Sequence, residues 1–317
     1  MPPQVTIGVV VNPRARQAGA PGLVEALRGI VGADGLVVET KDPPALERAI
    51  AEFAARKLEV VATCGGDGTN LATATQLVRR FPAGELPRLA ILRGGTVNTI
   101  AQNLGIRGKP TMILSDIMAR RRAGLPAKEV GQDLLRVVST VGEGAALYGF
   151  LFAAGMGARF LEEYYAKPRP GVGWAGVLAA RVIASSLVSG AFARRLFAPV
   201  VARLVLDGEP LALARFKLLV ASTVPDVGIG MRVAWRAGEQ PNRFHVVASA
   251  LPVSAFARQV KRVLAGEPLA GQPHVDRLAR SLTIELDGPQ VYTLDGELFR
   301  SDKISISVGP RIWILKP

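Results

Sequence analysis

The sequence predicts an α/β domain built on a parallel sheet over residues 1–125, followed by an antiparallel β-sandwich domain over residues 126–317. Three observations predict it. The chain has 317 residues, which suits two cores better than one. Near the N-terminus, unbroken apolar and β-branched runs alternate with stretches of helical period, the pattern of strands covered on both faces. Beyond residue 126 the runs are short, alternate between apolar and polar residues, and are punctuated by Asp-Gly pairs.

Taken in order, VTIGVVVN (Val5 to Asn12) is the first expected strand, followed by a helix over Leu23 to Val31. LVVET (Leu36 to Thr40) is the second strand. The next segment, PPALERAIAEFAARK, opens on proline and keeps helical period. LEVVATC (Leu58 to Cys64) runs into a glycine loop and the helix LATATQLVRRF. RLAIL (Arg88 to Leu92) precedes a second glycine pair and the helix VNTIAQNLG. This βαβαβαβα order implies parallel pairing with right-handed crossovers. The second domain is expected to carry strands in VARLVLDG, LARFKLLVAST, RFHVVASA, SLTIELDG, VYTLDGE and KISISVGP, with turns at Asp207-Gly208 and Asp287-Gly288. Helices are expected near Ala158–Tyr165, Trp174–Ser189 and Val253–Leu264.

The net charge is +13, from 39 Lys and Arg against 26 Asp and Glu, which points to an anionic partner. The cations cluster at Arg120–Arg122, Lys167 with Arg169, Arg194-Arg195, and Arg258 with Lys261-Arg262. Aromatics make up only 6% and do not interleave with them, so a lipid surface is favoured and no nucleic-acid partner is expected. The most apolar stretch, Gly173 to Val188, is broken by Arg181 and too short for a bilayer. As an interfacial helix it would set Trp174, Val177 and Leu178 against lipid. The single cysteine, Cys64, excludes an internal disulfide, and His245 and His274 lack the spacing of a zinc site. No secretory signal is recognisable at the N-terminus, so a cytoplasmic protein is expected, with peripheral association at the inner membrane face. A homodimer is compatible with the sequence.

Ligands of open parallel sheets bind beyond the carboxyl ends of the strands. Four such ends carry polar or glycine-rich residues: Asn12-Pro13-Arg14, Thr40, Gly65 to Thr69, and Gly94-Gly95-Thr96. In Gly65-Gly66-Asp67-Gly68-Thr69 the glycines permit close approach of a polyphosphate, and the following helix adds the positive end of its dipole. Asp67 is unsuited to touching phosphate and suited to holding Mg²⁺ that bridges phosphates; the plainer alternative is a capping residue in a tight turn. Thr69 can donate to a phosphate or cap the helix. Cys64 reads as a small buried strand-end residue, not a nucleophile.

GGDGT at Gly65–Thr69, GGTVNTIAQNLGI from Gly94, Asp295-Gly296-Glu297 in VYTLDGELF and the early Asn12-Pro13 together resemble the diacylglycerol kinase catalytic-domain family, in particular bacterial lipid kinases. The resemblance implies a Rossmann-like first domain of the NAD kinase and diacylglycerol kinase type. It implies ATP-dependent phosphorylation of a lipid hydroxyl, in a cleft between that domain and the β-sandwich. It further implies that Asn12, Thr40, Gly65, Gly66, Asp67, Gly68, Thr69, Gly95, Thr96 and Asn98 bind ATP, and that Asp67 holds Mg²⁺. Catalysis would rest on Glu297 as general base, with Asp295 and Asp67.

Several positions depart from the family pattern. Leu71 and Ala72 replace an Asn-Glu pair, Arg93 a proline, and Thr99 an aspartate of the metal network. Gln240-Pro241-Asn242 stands where bacterial members place the Asp-Gly of a structural metal site. Fewer carboxylates imply a thinner Mg²⁺ site. A catalytically weak nucleotide- or lipid-binding regulator is therefore an alternative, as is another small-molecule kinase of the NAD kinase type.

Overall fold

Strands such as IGVVV and VVATC, with no apolar–polar alternation, suit a place between two apolar layers, and the computed structural model buries every residue of both. It describes residues 6–317 except 83, 141–143, 169–170 and 189. Val5, Arg169 and Ser189, which the sequence assigns to a strand, a basic pair and a helix end, lie outside the described residues. By internal contacts the chain forms two units, Met1–Gln132 with Pro310–Pro317, and Asp133–Gly309.

In the first unit β1 (Ile7–Val11), β2 (Gly35–Glu39), β3 (Val60–Cys64) and β4 (Arg88–Ile91) are all parallel. Between them run α1 (Leu23–Val31), α2 (Pro43–Ala55) and α3 (Asp67–Arg80), with α4 (Thr99–Asn103) and α5 (Pro110–Arg122) after β4. Every residue of β1 and β3 is buried. The strand order is β2-β1-β3-β4. The chain therefore steps one way from β1 to β2 and the other way from β2 through β3 to β4. Right-handed crossovers then put α1 on one face and α2 and α3 on the other. The packing agrees: α1 lies against α5, and α2 against α3. This reversal creates a topological switch point between β1 and β3, where open sheets bind ligands.

The helix over 110–122, α5, is not among the elements the sequence predicts. Its burial is confined to Pro110, Ile113, Leu114, Ile117 and Met118, and its last turn is three arginines. That polar end conceals the apolar face in a linear reading.

The second unit begins within β5 (Glu129–Ser139) and continues with β6 (Leu147–Gly149), β7 (Leu151–Gly155), α6 (Met156–Tyr165), α7 (Val172–Leu187) and α8 (Ala191–Leu196). Then come β8 (Val200–Leu206), β9 (Glu209–Pro210), β10 (Arg215–Phe216), β11 (Leu218–Ser222) and β12 (Phe244–Ser249). The chain ends with α9 (Val253–Arg258), α10 (Val260–Ala265), β13 (His274–Ala279), β14 (Ser281–Leu294) and β15 (Glu297–Leu315). Pairing is antiparallel along β13-β12-β11-β7-β14.

Asp207-Gly208 turns the chain between β8 and β9 as expected, with Leu206 paired to Glu209. Asp287-Gly288 does not separate two strands. It sits inside β14 at an irregularity between Glu285 and Gln290, so SLTIELDG and the VYTL of VYTLDGE form one strand. The bulge lets residues 282–286 pair with β8 and residues 292–294 with β7.

The division into units differs from a boundary at 125/126. Ile314 and Leu315, near the end of β15, pair in parallel with Leu89 and Ala90 of β4, so Pro310–Pro317 belong to the first unit. Alternation along a strand reports its burial but not its partner, which is why the terminal strand reads as part of the antiparallel domain.

Candidate functional site

The parallel register sets the glycine-rich part of the site. Val11 is level with Glu39 and with Cys64, so Asn12, Thr40 and Gly65 leave their strands at one height, at the switch point. Asn12 Nδ2 donates to Thr69 Oγ1 at 3.1 Å, tying the end of β1 to the glycine loop, while Asn12 Oδ1 accepts from the Arg14 N–H. Thr40 is buried, and both its N–H and its hydroxyl donate to the Val11 carbonyl. Cys64 is fully buried, and burial pushes its thiol up to about 12, which removes it as a nucleophile.

The two glycine segments pack backbone against backbone. A Cβ on Gly95 would lie 2.3 Å from Gly66 Cα, and one on Gly94 would lie 2.6 Å from the Gly65 nitrogen. Only glycine permits that approach. Asn98 closes the second loop in a left-handed conformation, φ 54°: its Oδ1 accepts from Gly95 N–H and its Nδ2 donates to the Gly95 carbonyl. Asn98 thus shapes the loop, and Gly95 and Thr96 are the residues it presents.

α3 begins at Asp67 with Gly66 as its N-cap and no side-chain cap. A 14-residue helix that starts in glycine backbone, uncapped, at a sheet switch point has the form of a phosphate site. Asp67 itself faces the neighbouring helix. Its Oδ2 accepts from Thr99 N–H at 2.8 Å and its Oδ1 from Ile100 N–H at 3.2 Å, so it serves the start of α4. Desolvation raises its pKa, opposed by those two hydrogen bonds and by a third from the Thr99 side chain. Thr99 thus hydrogen-bonds this carboxylate, and it adds no second carboxylate. No group of three or more metal-ligating side chains occurs among the described residues. Such a donor set fits Mg²⁺ carried mainly by phosphate oxygens and water, with Asp67 as the single carboxylate, and does not fit a cage built by protein.

The remaining candidate residues are in the other unit. Asp295 and Gly296, φ 47° and 88°, form a two-residue turn between β14 and β15, with Leu294 paired to Glu297. Asp295 is 2% exposed. Its carboxylate accepts from the N–H groups of Phe150 (3.0 and 3.1 Å) and Leu151 (2.8 Å), and its own N–H donates to the Leu151 carbonyl. Asp295 is therefore a positioning residue that anchors the turn. Asp295→Ala strands two buried N–H donors. It is expected to destabilise the protein by about 2–4 kcal/mol, read from the urea unfolding midpoint.

Glu297 differs. Its side chain reaches solvent, yet the surrounding protein desolvates the carboxyl and raises its pKa above the ordinary 4.5. It has no hydrogen-bond or ion-pair partner among the described residues. Tyr165, at the end of α6, is a contributor that sequence reasoning misses: its hydroxyl donates to the Gly296 carbonyl at 3.0 Å and braces the turn. No sequence signal marks a tyrosine for that contact.

Residues 6–127 match the family described as the diacylglycerol kinase catalytic domain. The match spans both glycine segments and bears out the resemblance read from Gly65–Thr69 and Gly94–Asn98. Among solved structures, a protein from Bacillus anthracis proposed to be a diacylglycerol kinase superposes with a TM-score of 0.72 at 16% identity, over 99% of this chain and 95% of that one. A second, described as a diacylglycerol kinase of the same organism, gives 0.64 at 15% identity, over 99% and 97%. At these identities the diacylglycerol kinase-like structures establish the fold: a mixed α/β chain with a parallel sheet and an antiparallel C-terminal β region. No curated protein matches the sequence.

Proposed function

We propose that the protein is an ATP-dependent lipid kinase that transfers the γ-phosphate to a hydroxyl of diacylglycerol or a related lipid. The observation that carries this reading is Glu297, a carboxylate with no hydrogen-bond or ion-pair partner among the described residues, set two residues beyond the buried anchor Asp295. The catalytic-domain match over 6–127 supports the kinase class.

In this reading the N–H groups at the start of α3, with Gly66, Gly68, Gly95 and Thr96, hold the phosphates of ATP. Asn12 donates to the Thr69 hydroxyl, which leaves that hydroxyl's own proton for a phosphate oxygen. Glu297 takes the proton of the acceptor hydroxyl as that oxygen attacks the γ-phosphorus, and ADP leaves. Mg²⁺, when bound with the nucleotide and held by Asp67, supplies positive charge to the transferring phosphoryl oxygens. The protein works in the cytoplasm and meets its substrate at a membrane face.

A lipid panel incubated with γ-labelled ATP and Mg²⁺ tests the reading: a labelled lipid of altered mobility is expected. The pH dependence is a second test. Glu297 acts as its carboxylate, so turnover is low below its pKa and climbs as pH rises through it. Because desolvation raises that pKa, the acidic limb is expected above the range of an ordinary glutamate, and Glu297→Gln should abolish the limb.

One observation favours a second reading, a nucleotide-binding regulator. Thr99 stands where a second carboxylate would help hold metal, and the Asp67 oxygens already accept the Thr99 and Ile100 N–H groups. Under that reading wild type and Glu297→Gln bind ATP equally and neither labels any lipid.

A further inference from the structure

We propose that the outward face of α7, with the cations around it, docks on the surface of an anionic lipid bilayer. α7 buries Ala175, Leu178, Val182 and Ser186 along one side. At 100° per residue its exposed positions, Gly173, Gly176, Val177, Ala180, Arg181, Ala184 and Leu187, together with Val188 just beyond its end, fall on the opposite side as one stripe. Val177 is 58% exposed, Leu187 55% and Val188 77%. The stripe holds a single charged residue. Leu178, which a purely linear reading puts against lipid, belongs instead to a core cluster with Tyr164 and Ala175.

A helix apolar on its solvent side and packed on the protein by the other lacks the polar face of an ordinary surface helix. No helix among the described residues is long and apolar enough to cross a membrane, so an in-plane position at the interface is the geometry that suits α7.

Charge selects the occupant. From residue 164 to 206 the sequence has no Asp or Glu and six Lys or Arg, and from 240 to 266 again no acid and four cations. These segments contain α7, α8, α9 and α10, and α9 packs on α7. Lys167 Nζ lies 4.4 Å from the centre of the Trp174 ring, and the Arg181 guanidinium 4.1 Å from that of Phe192. Their stems are thereby held along the apolar surface, as interfacial cations are. Acids reach this surface only from the flanks, Glu163 on Arg195 and Glu267 on Arg262, so a second copy of the chain would set largely like charge on like, since a twofold contact uses the same patch twice. Nucleic acid would leave the aliphatic stripe without base-stacking partners. An anionic bilayer satisfies both charge and apolarity. The proposal stands on exposure and charge, independently of the kinase reading.

The test is co-sedimentation of the full chain with phosphatidylcholine vesicles, with and without phosphatidylglycerol, at low and high salt. Wild type is expected to pellet with the anionic vesicles and to be released by salt. Val177→Ser/Leu187→Ser/Val188→Ser should bind at least about tenfold more weakly, with its thermal midpoint unchanged because all three side chains are already in solvent. Lys167→Gln/Arg181→Gln should weaken anionic binding and reduce its salt sensitivity. Equal binding by wild type and the triple variant would overturn the proposal, as would binding indifferent to phosphatidylglycerol or no vesicle binding at all. A wild type that light scattering shows to be dimeric, beside a monomeric triple variant that still does not bind vesicles, would assign the stripe to a second copy instead.

Discussion

Glu297→Gln is expected to lower the rate of phosphoryl transfer by about 10²–10⁴-fold while leaving the dissociation constant for ATP unchanged. The substitution preserves size and removes only the capacity to accept a proton. The Glu297 side chain makes no hydrogen bond or ion pair among the described residues, so the substitution breaks none. Asp295 supplies the contrast. Its carboxylate pins the turn through Phe150 and Leu151 N–H, so Asp295→Ala acts on stability and on the placement of Glu297 together. Steady-state kinetics combined with nucleotide titration separate the two. A fall in kcat at constant ATP affinity belongs to the base, and a fall accompanied by a lower unfolding midpoint belongs to the anchor.

Gly95→Ala should have the second-largest effect, and by a different route. The added methyl would stand 2.3 Å from Gly66 Cα and 3.1 Å from Asn98 Oδ1. Neither loop can readily yield. The Gly94 carbonyl accepts from both Gln17 and Ala18 N–H, and Asn98 clasps Gly95 through two hydrogen bonds. Overpacking of this kind costs about 1–3 kcal/mol. Because the clash falls on the start of α3, ATP affinity is expected to fall at least about tenfold as well. Gly29→Ala is the internal control. Gly29 lies in α1, where an added methyl would meet nothing within 4 Å, so the same chemical change there should stabilise by about 0.5–1 kcal/mol. Urea midpoints for the two variants are expected to move in opposite directions.

The parallel domain is legible in the sequence because its strands are continuous apolar runs and its helices carry their own punctuation, such as the Asp42 cap ahead of Pro43. The glycine segments can be read as a phosphate site since few other purposes call for Gly65, Gly66, Gly94 and Gly95 at successive strand ends. The duty of each side chain is less accessible. The sequence assigns Asp67 to a metal and gives no sign that its carboxylate also accepts from N–H groups of α4, a contact 32 residues away that no spacing rule encodes. Asp207-Gly208 and Asp295-Gly296 have the same sequence and the same turn, yet only the second is buried and followed by a desolvated glutamate. Local sequence writes the turn; tertiary burial decides what the turn is for. The end of β15 is misplaced in a linear reading for a related reason, since pairing with β4 depends on the partner and not on the strand's own residues.

Amide hydrogen exchange with and without ATP tests the central claim most directly, that the uncapped start of α3 grips the nucleotide phosphates. New protection is expected at the N–H groups of Gly66 to Gly68 and at Thr96, diminished in Gly95→Ala. Protection confined to other segments, with these amides exchanging as before, would contradict it.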